Sequence, residues 1–293
     1  MAAGDKWGRV GLWSLSSAWG DDGVLLFEPH SRPVACMAFS PANPTDLLSA
    51  SYDGSMRRMD VEKAVFGDVY EIEDGLRTFD FLSHDGMSLL VGSWYGDIAV
   101  VDRRTPGSSH ESLHTLDTKV VRCVNVHPVM KQYFAVAESQ VVNIYDSRFL
   151  KKSKCTVVCQ LKGHSKSITS AYFSPESGNR VLTTCLDDRI RIYDTSVITN
   201  APLLKTISHD MKTGRWLTKL SAVWDPKQEE CFAVGSLSRE RCVQVFHESG
   251  QLLHTFRDEN LTTVQSVVAF HPTRPVLMGG NASGRLHVFA DGL

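Results

Sequence analysis

A single phrase recurs seven times along this chain: a short run of alternating apolar residues that closes on an aromatic or apolar side chain and, most often, an aspartate. Its clearest copies are Ile190-Arg191-Ile192-Tyr193-Asp194 and Val142-Asn143-Ile144-Tyr145-Asp146; looser ones end at Ser14, Asp60, Asp102, His247 and Ala290, 42 to 53 residues apart. A period of two puts alternate side chains on opposite faces of an extended strand. A second phrase runs in phase with the first, an apolar strand entering a turn at Phe39-Ser40-Pro41, Val126-His127-Pro128, Phe173-Ser174-Pro175, Trp224-Asp225-Pro226 and Phe270-His271-Pro272. Proline has no amide for a continuing ladder, so each of these strands stops there. The two phrases mark the first strand, a, and the third, c, of a repeating four-stranded unit.

A repeat near 45 residues with four strands per unit resembles the WD-repeat propellers. The resemblance implies an all-β, seven-bladed WD-repeat β-propeller occupying residues 1–293 as one domain, with partner recognition as the default function. Blade 1 is expected to be partial, 1–17, because Arg9-Val10-Gly11-Leu12-Trp13 reads as strand c with no room before it for strands a and b. Blades 2–7 are expected to fill about 30–293, ending after strand c at Leu286-His287-Val288-Phe289.

Composition places the chain among ordinary globular proteins, with 42% apolar and 22% charged residues and a net charge of minus 2. No apolar run approaches a membrane span, and Met1-Ala2-Ala3-Gly4-Asp5-Lys6 leads into no signal-like stretch, so an intracellular protein without a membrane partner is expected. The seven cysteines fit reduced thiols. Only Cys155 and Cys159 are close in sequence, and no further soft ligands follow, so no metal site and no cofactor is predicted. Phosphate-binding glycine loops, nucleophile elbows and zinc-protease motifs are missing from the sequence.

Two units carry a matched polar pair. His30, Asp53 and Asp60 stand 23 and 7 residues apart, and His164, Asp187 and Asp194 repeat those intervals. In WD-repeat propellers such a histidine and aspartate belong to a buried hydrogen-bond network, which implies a structural role for His30, Asp53, His164 and Asp187. Met59 and Tyr193 stand where the family has tryptophan, and the network of blade 2 is expected to be weaker than that of blade 5. A catalytic His164/Asp187 dyad is the alternative, and the duplicated spacing favours architecture.

Antiparallel strands reverse direction, so loops entering strand a and joining b to c share one face of a propeller, and the a to b and c to d loops share the other. On the second face, Asp102-Arg103-Arg104 and Asp146-Ser147-Arg148 both place an arginine two residues after the terminal aspartate of consecutive strands c. Arginine beside a carboxylate makes a strong contact group. These residues, Asp102, Arg104, Asp146 and Arg148, resemble the double Asp-x-Arg box of propellers that serve cullin-4 ubiquitin ligases through damaged-DNA-binding protein 1. On the first face, basic residues recur where strand a begins: Arg32, Lys119 and Lys166 at one phase, Arg77 and Arg122 at another, and Arg215, Trp216 and Lys219 at the entry to blade 6. An asymmetric basic face favours a polyanion, and a loop Arg-Trp pair can contact phosphates and stack on bases.

Longer stretches narrow the resemblance. Phe39-Ser40-Pro41-Ala42-Asn43-Pro44, Val101-Asp102-Arg103-Arg104-Thr105-Pro106-Gly107, Gly214-Arg215-Trp216-Leu217-Thr218, Trp224-Asp225-Pro226-Lys227-Gln228-Glu229 and His271-Pro272-Thr273-Arg274 are similar to WD-repeat relatives of the small damaged-DNA-binding subunit. That resemblance implies a monomeric, nuclear, chromatin-associated adaptor linked to DNA damage. Its expected partners are damaged-DNA-binding protein 1 with the cullin-4 ligase on one face, and DNA or chromatin, histones included, on the other. The alternative is a chromatin propeller that binds histone or other peptides without a ligase role.

Overall fold

The computed structural model describes residues 1–15, 23–105, 107–118, 120–151, 155–214 and 218–290. The described strands form seven antiparallel sheets in chain order, the blades of a seven-bladed WD-repeat β-propeller. No helix is long and apolar enough to cross a membrane. The chain divides into two compact units, one of residues 1–126 with 147–156 and the other of 127–146 with 157–292.

The first unit opens with a three-stranded sheet of β1 (Ala2–Gly4), β2 (Val10–Trp13) and β3 (Val24–Phe27). This corrects the expectation of a lone strand c confined to 1–17: β1 pairs with β2 from Ala2↔Leu12 to Gly4↔Val10, and β3 pairs on the other side of β2. The reversal fits into five residues because one Asp5 carboxylate oxygen accepts the amides of both Trp7 and Arg9, at 2.8 and 2.9 Å. Gly8 then supplies the left-handed backbone at φ 88°, where any Cβ would strike the His30 carbonyl.

Two four-stranded sheets follow: β4 (Val34–Phe39), β5 (Asp46–Ser51), β6 (Ser55–Asp60) and β7 (Val65–Glu71), then β8 (Leu76–Phe81), β9 (Ser88–Ser93), β10 (Asp97–Asp102) and β11 (Ser112–Thr115). Their second strands are almost wholly buried, and Leu48, Ala50, Met56, Tyr70, Leu76, Leu89 and Val91 pack into one core. Side chains of β8 also reach β12 (Cys123–Val126). Thr78 Oγ1 accepts the Val124 amide at 3.1 Å, and Asp80 Oδ2 accepts the Val126 amide and the Asn125 side-chain amide at 2.7 and 2.8 Å. These bonds satisfy buried backbone groups that a sheet alone would leave open.

The second unit repeats the plan. β13 (Tyr133–Ala137), β14 (Val142–Asp146) and β15 (Val157–Leu161) pair in order, as do β16 (Ile168–Phe173), β17 (Arg180–Cys185), β18 (Arg189–Asp194) and β19 (Leu203–Ser208). The next sheet holds β20 (Val223–Asp225), β21 (Gln228–Ser236), β22 (Cys242–His247) and β23 (Leu252–Phe256), and the last holds β24 (Gln265–Phe270), β25 (Val276–Asn281) and β26 (Leu286–Ala290). Thr184 Oγ1 accepts the Ala222 amide at 2.9 Å, the counterpart of Thr78 and Val124. Glu229 and Glu230 lie within β21, and Glu229 accepts the Ser177 amide and hydroxyl at 2.7 and 2.5 Å.

Candidate interaction surfaces

The two arginines that follow β10 have opposite fates. Arg103 is only 5% exposed; it donates to Asp46 Oδ2 on β5 at 3.2 Å and to the Gly86 carbonyl at 3.0 Å. Asp46, itself buried, also accepts Nε and Nη2 of Arg58 at 2.8 and 2.6 Å. Arg104 instead turns outward, 72% exposed, and forks onto Asp102 with Nε 2.9 Å from Oδ1 and Nη2 2.5 Å from Oδ2. The Arg104 side chain, joined by its backbone amide, holds the Asp102 carboxyl at a pKa of about 2, so the fork is ionised at neutral pH.

The second copy is built differently. Arg148 lies in a single 3-10 turn, Ser147–Phe149, exposed and with its guanidinium carbon 5.6 Å from the Phe149 ring centre. Asp146 is buried at the end of β14. Arginine is thus presented after both strands c, beside an Asp102 carboxylate that is 12% exposed in the first copy and a buried Asp146 in the second.

The histidine networks reverse their expected order. Both ring nitrogens of His30 are engaged, Nδ1 with Ser55 Oγ at 2.7 Å and Nε2 with Ser49 Oγ at 2.8 Å. Asp53 joins them by accepting the Ser55 hydroxyl at 2.7 Å and the Ser31 amide at 2.8 Å. In the fifth blade His164 Nε2 meets Thr183 Oγ1 at 2.9 Å, with the Leu161 backbone as a further partner. Arg191 takes Asp187 instead, through Nη1 at 3.0 Å and Nη2 at 2.7 Å. The histidine contacts of blade 2 gain Ser55, while the Ser49 and Asp53 contacts have counterparts in blade 5 at Thr183 and at Asp187, which accepts the Ser165 amide at 3.2 Å. Burial, aided by Arg191, lowers the His164 pKa to about 4.

The basic residues divide between the units, each described by itself. In the first, Arg32 is exposed and Arg77 is half-buried with its guanidinium carbon 4.7 Å from the Trp94 ring centre. Burial, and to a lesser degree repulsion from Arg122, pushes the Arg77 pKa down. The Nε of Arg122 is buried and has no hydrogen-bond partner among the described residues. In the second unit Lys166 is exposed, and Lys219 folds its ammonium onto the Thr213 carbonyl and hydroxyl at 3.2 and 3.0 Å. Lys119, Arg215 and Trp216 lie outside the described residues.

Sequence reading missed the aromatic side chains of this face. Trp94 and Tyr95, in the turn between β9 and β10, are 38% and 64% exposed, and Trp7, between β1 and β2, is 63% exposed.

Comparison with known proteins agrees with this architecture. The WD domain, G-beta repeat family matches residues 22–58 and 155–194. The β-propeller domain of Cps50 (Swd1) from Myceliophteria thermophila superposes with a TM-score of 0.79 at 17% identity, covering 99% of this chain and 93% of that one. WD repeat-containing protein 76 of Xenopus laevis is 54% identical over 294 residues, 99% of this chain and 50% of the relative. The chain is a relative of WD repeat-containing protein 76. The mouse WD repeat-containing protein 76 is 52% identical over 99% of this chain, and the chain spans about half the length of these relatives, 50% and 46%. A more distant relative, the DNA damage-binding protein cmr1 of Neurospora crassa, is 27% identical over 97% of this chain and 60% of its own length.

Proposed function

We propose that this chain is a non-enzymatic adaptor, a single WD-repeat domain over 1–293 that docks a cullin-4 RING ubiquitin ligase through damaged-DNA-binding protein 1 and engages DNA or chromatin with its opposite face. The observation that carries the ligase half is the outward fork of Arg104 on Asp102, followed in the next strand c by the exposed Arg148. A rigid, charge-neutralised arginine loses little conformational freedom on docking, which suits an interface anchor.

The kinship with proteins named for binding damaged DNA supports the other half, together with Arg32 and Lys166 exposed at strand entries and Arg77 and Arg122 unpaired with any carboxylate among the described residues. Nuclear location follows from that role. His164 and Asp187 are assigned to architecture, since Asp187 is committed to Arg191. The deciding experiment is affinity purification of the chain from nuclear extract, wild type beside Arg104→Glu/Arg148→Glu, scored for damaged-DNA-binding protein 1. Recovery of the adaptor with both forms refutes the ligase assignment and leaves a chromatin propeller that reads peptides.

A further inference from the structure

Three Ser/Thr-Pro dipeptides occur in the chain, Ser40-Pro41, Thr105-Pro106 and Ser174-Pro175, and each matches the minimal acceptor of a proline-directed protein kinase. Burial separates them. Ser40 and Ser174 directly follow β4 and β16, and their amides donate to the Asp46 and Arg180 carbonyls of the next strands, both at 2.8 Å. They are 5% and 0% exposed, and the Ser174 hydroxyl accepts the Arg180 amide at 3.3 Å. Neither can enter a kinase cleft without unfolding its blade.

Thr105 differs in every respect. It is exposed in the loop between β10 and β11, where Ser108, Ser109, His110 and Glu111 are exposed as well, and Gly107 has open space around its α-carbon. The Thr105 amide donates to the Asp102 carbonyl at 3.0 Å, closing 102–105 into one turn that contains Thr105, Arg104 and Asp102. Arg104 is the residue before Thr105, and its guanidinium is held from below by the Asp102 carboxylate alone at hydrogen-bond distance. The carboxylates of Asp85 and Glu111 act on the same guanidinium from farther away.

We infer that Thr105 is a phosphorylation site whose phosphate draws Arg104 off Asp102 and switches off the docking surface. In the transfer, Thr105 Oγ1 attacks the γ-phosphorus of Mg-ATP held by a proline-directed kinase. An O–P bond forms as the γ-phosphorus separates from the oxygen bridging to the β-phosphate, ADP leaves, and the hydroxyl proton passes to the carboxylate base of the kinase. The product places close to two negative charges and three acceptor oxygens beside a guanidinium now held by a single carboxylate. Arginine forks onto phosphate in the same geometry and against a larger charge. Asp102, Asp85 and Glu111 repel the phosphate, which leaves the guanidinium as its favourable neighbour. The turn then changes from a neutral Asp-Arg pair to a net anion, and a partner anchored on an outward arginine meets a masked cation. The loss of docking rests on the proposed ligase reading; the contact between phosphate and Arg104 does not.

The test starts with a cyclin-dependent kinase and Mg-ATP, applied to the folded 293-residue chain and to synthetic peptides spanning 36–45, 101–110 and 170–179, with sites read by mass spectrometry. All three peptides are expected to take phosphate, whereas among the three sites the folded chain takes it at Thr105 alone, and Thr105→Ala takes none. Phosphate at Ser40 or Ser174 of the folded chain, or none at Thr105, overturns the assignment. Phosphorus-31 NMR titration then follows the phosphothreonine, whose second pKa is ordinarily about 6. In the wild-type chain it should lie about 0.5 or more below its value in Arg104→Gln, and equal values overturn the contact. The phosphorylated chain should hold damaged-DNA-binding protein 1 at least about tenfold more weakly than the unmodified chain, with recovery on phosphatase treatment. Kinase-treated Thr105→Ala should bind like the unmodified wild type. Capture that is undiminished or stronger after phosphorylation overturns the switch. An unmodified chain that captures no adaptor refutes the ligase reading instead, and the titration alone then decides whether the phosphate holds Arg104.

Discussion

Arg104 grips Asp102 through both carboxylate oxygens while its neighbour Arg103 turns inward to Asp46. Two residues of identical chemistry, adjacent in sequence, therefore stand in opposite surroundings, one exposed and one buried. Both lie in the turn after β10, which the Thr105 amide closes on the Asp102 carbonyl at 3.0 Å, and that turn aims them in opposite directions.

Docking is expected to follow the outward pair. Arg104→Glu alone should weaken capture of the ligase adaptor at least about tenfold, and Arg104→Glu/Arg148→Glu should abolish it. Thermal melts of both variants should match wild type, since the two side chains are exposed. Loss of binding together with a lowered midpoint would assign the arginines to the fold.

Stability is expected to follow the inward one. Removing the carboxylate in Asp46→Ala leaves Arg103 buried and uncompensated and Arg58 without its acceptor. A loss of about 3 kcal/mol is expected from denaturant unfolding, the scale of a broken buried pair. Asp46→Asn should recover part of it by accepting one bond.

Among the histidines, His30→Ala should cost about 1 to 3 kcal/mol and His164→Ala less, because His30 engages two hydroxyls and His164 one. Chemical denaturation of the two variants side by side gives the order. A larger loss at His164 would mean that its packing on Tyr193, ring centres 5.8 Å apart, outweighs the hydrogen bonds.

Acid should loosen the second unit through His127. Its Nδ1 accepts the amides of Val129 and Met130 at 3.2 and 3.0 Å, so the ring is neutral in the fold. Burial lowers its pKa from 6.5 to about 4, and Lys131 adds to the effect. A lowered pKa means that the unfolded chain takes up the proton first. The contribution of His127 is therefore complete above pH 6.5 and is lost as pH falls toward 4. His164 titrates in the same window. Melting temperature should fall between pH 7 and 5, with a shallower fall in His127→Gln.

Gly178 closes over the same ring. It sits at φ 70°, and a Cβ there would lie 2.4 Å from His127 Nε2. Gly178→Ala should cost about 3 kcal/mol, strain and overpacking together, while Gly214→Ala, with open space around it, should be silent. Melting curves of the pair decide this.

Much of the fold was legible because two signals are local and periodic. The alternation in Ile190–Asp194 and the prolines after Phe39, Phe173 and Phe270 mark strand bodies and strand ends without tertiary knowledge. β1 escaped because three residues are too few to show a period, and Glu229 escaped because its partner Ser177 lies in another blade. For the site, the arginines could be placed by phase. Their directions could not, since burial of Arg103 depends on Asp46, 57 residues away. The exposed rings escaped because Ser93-Trp94-Tyr95-Gly96 reads equally well as the end of a buried strand.

The bonds from Thr78 and Asp80 to β12 bear on how such a chain can change. A blade whose strand amides are met by a threonine and an aspartate of the preceding blade depends on that neighbour for its backbone hydrogen bonds. Deleting, duplicating or transposing a unit would strand a half-buried carboxylate on one side and open amides on the other. Changes in the number or order of blades are therefore expected to cost stability that changes in the turns do not.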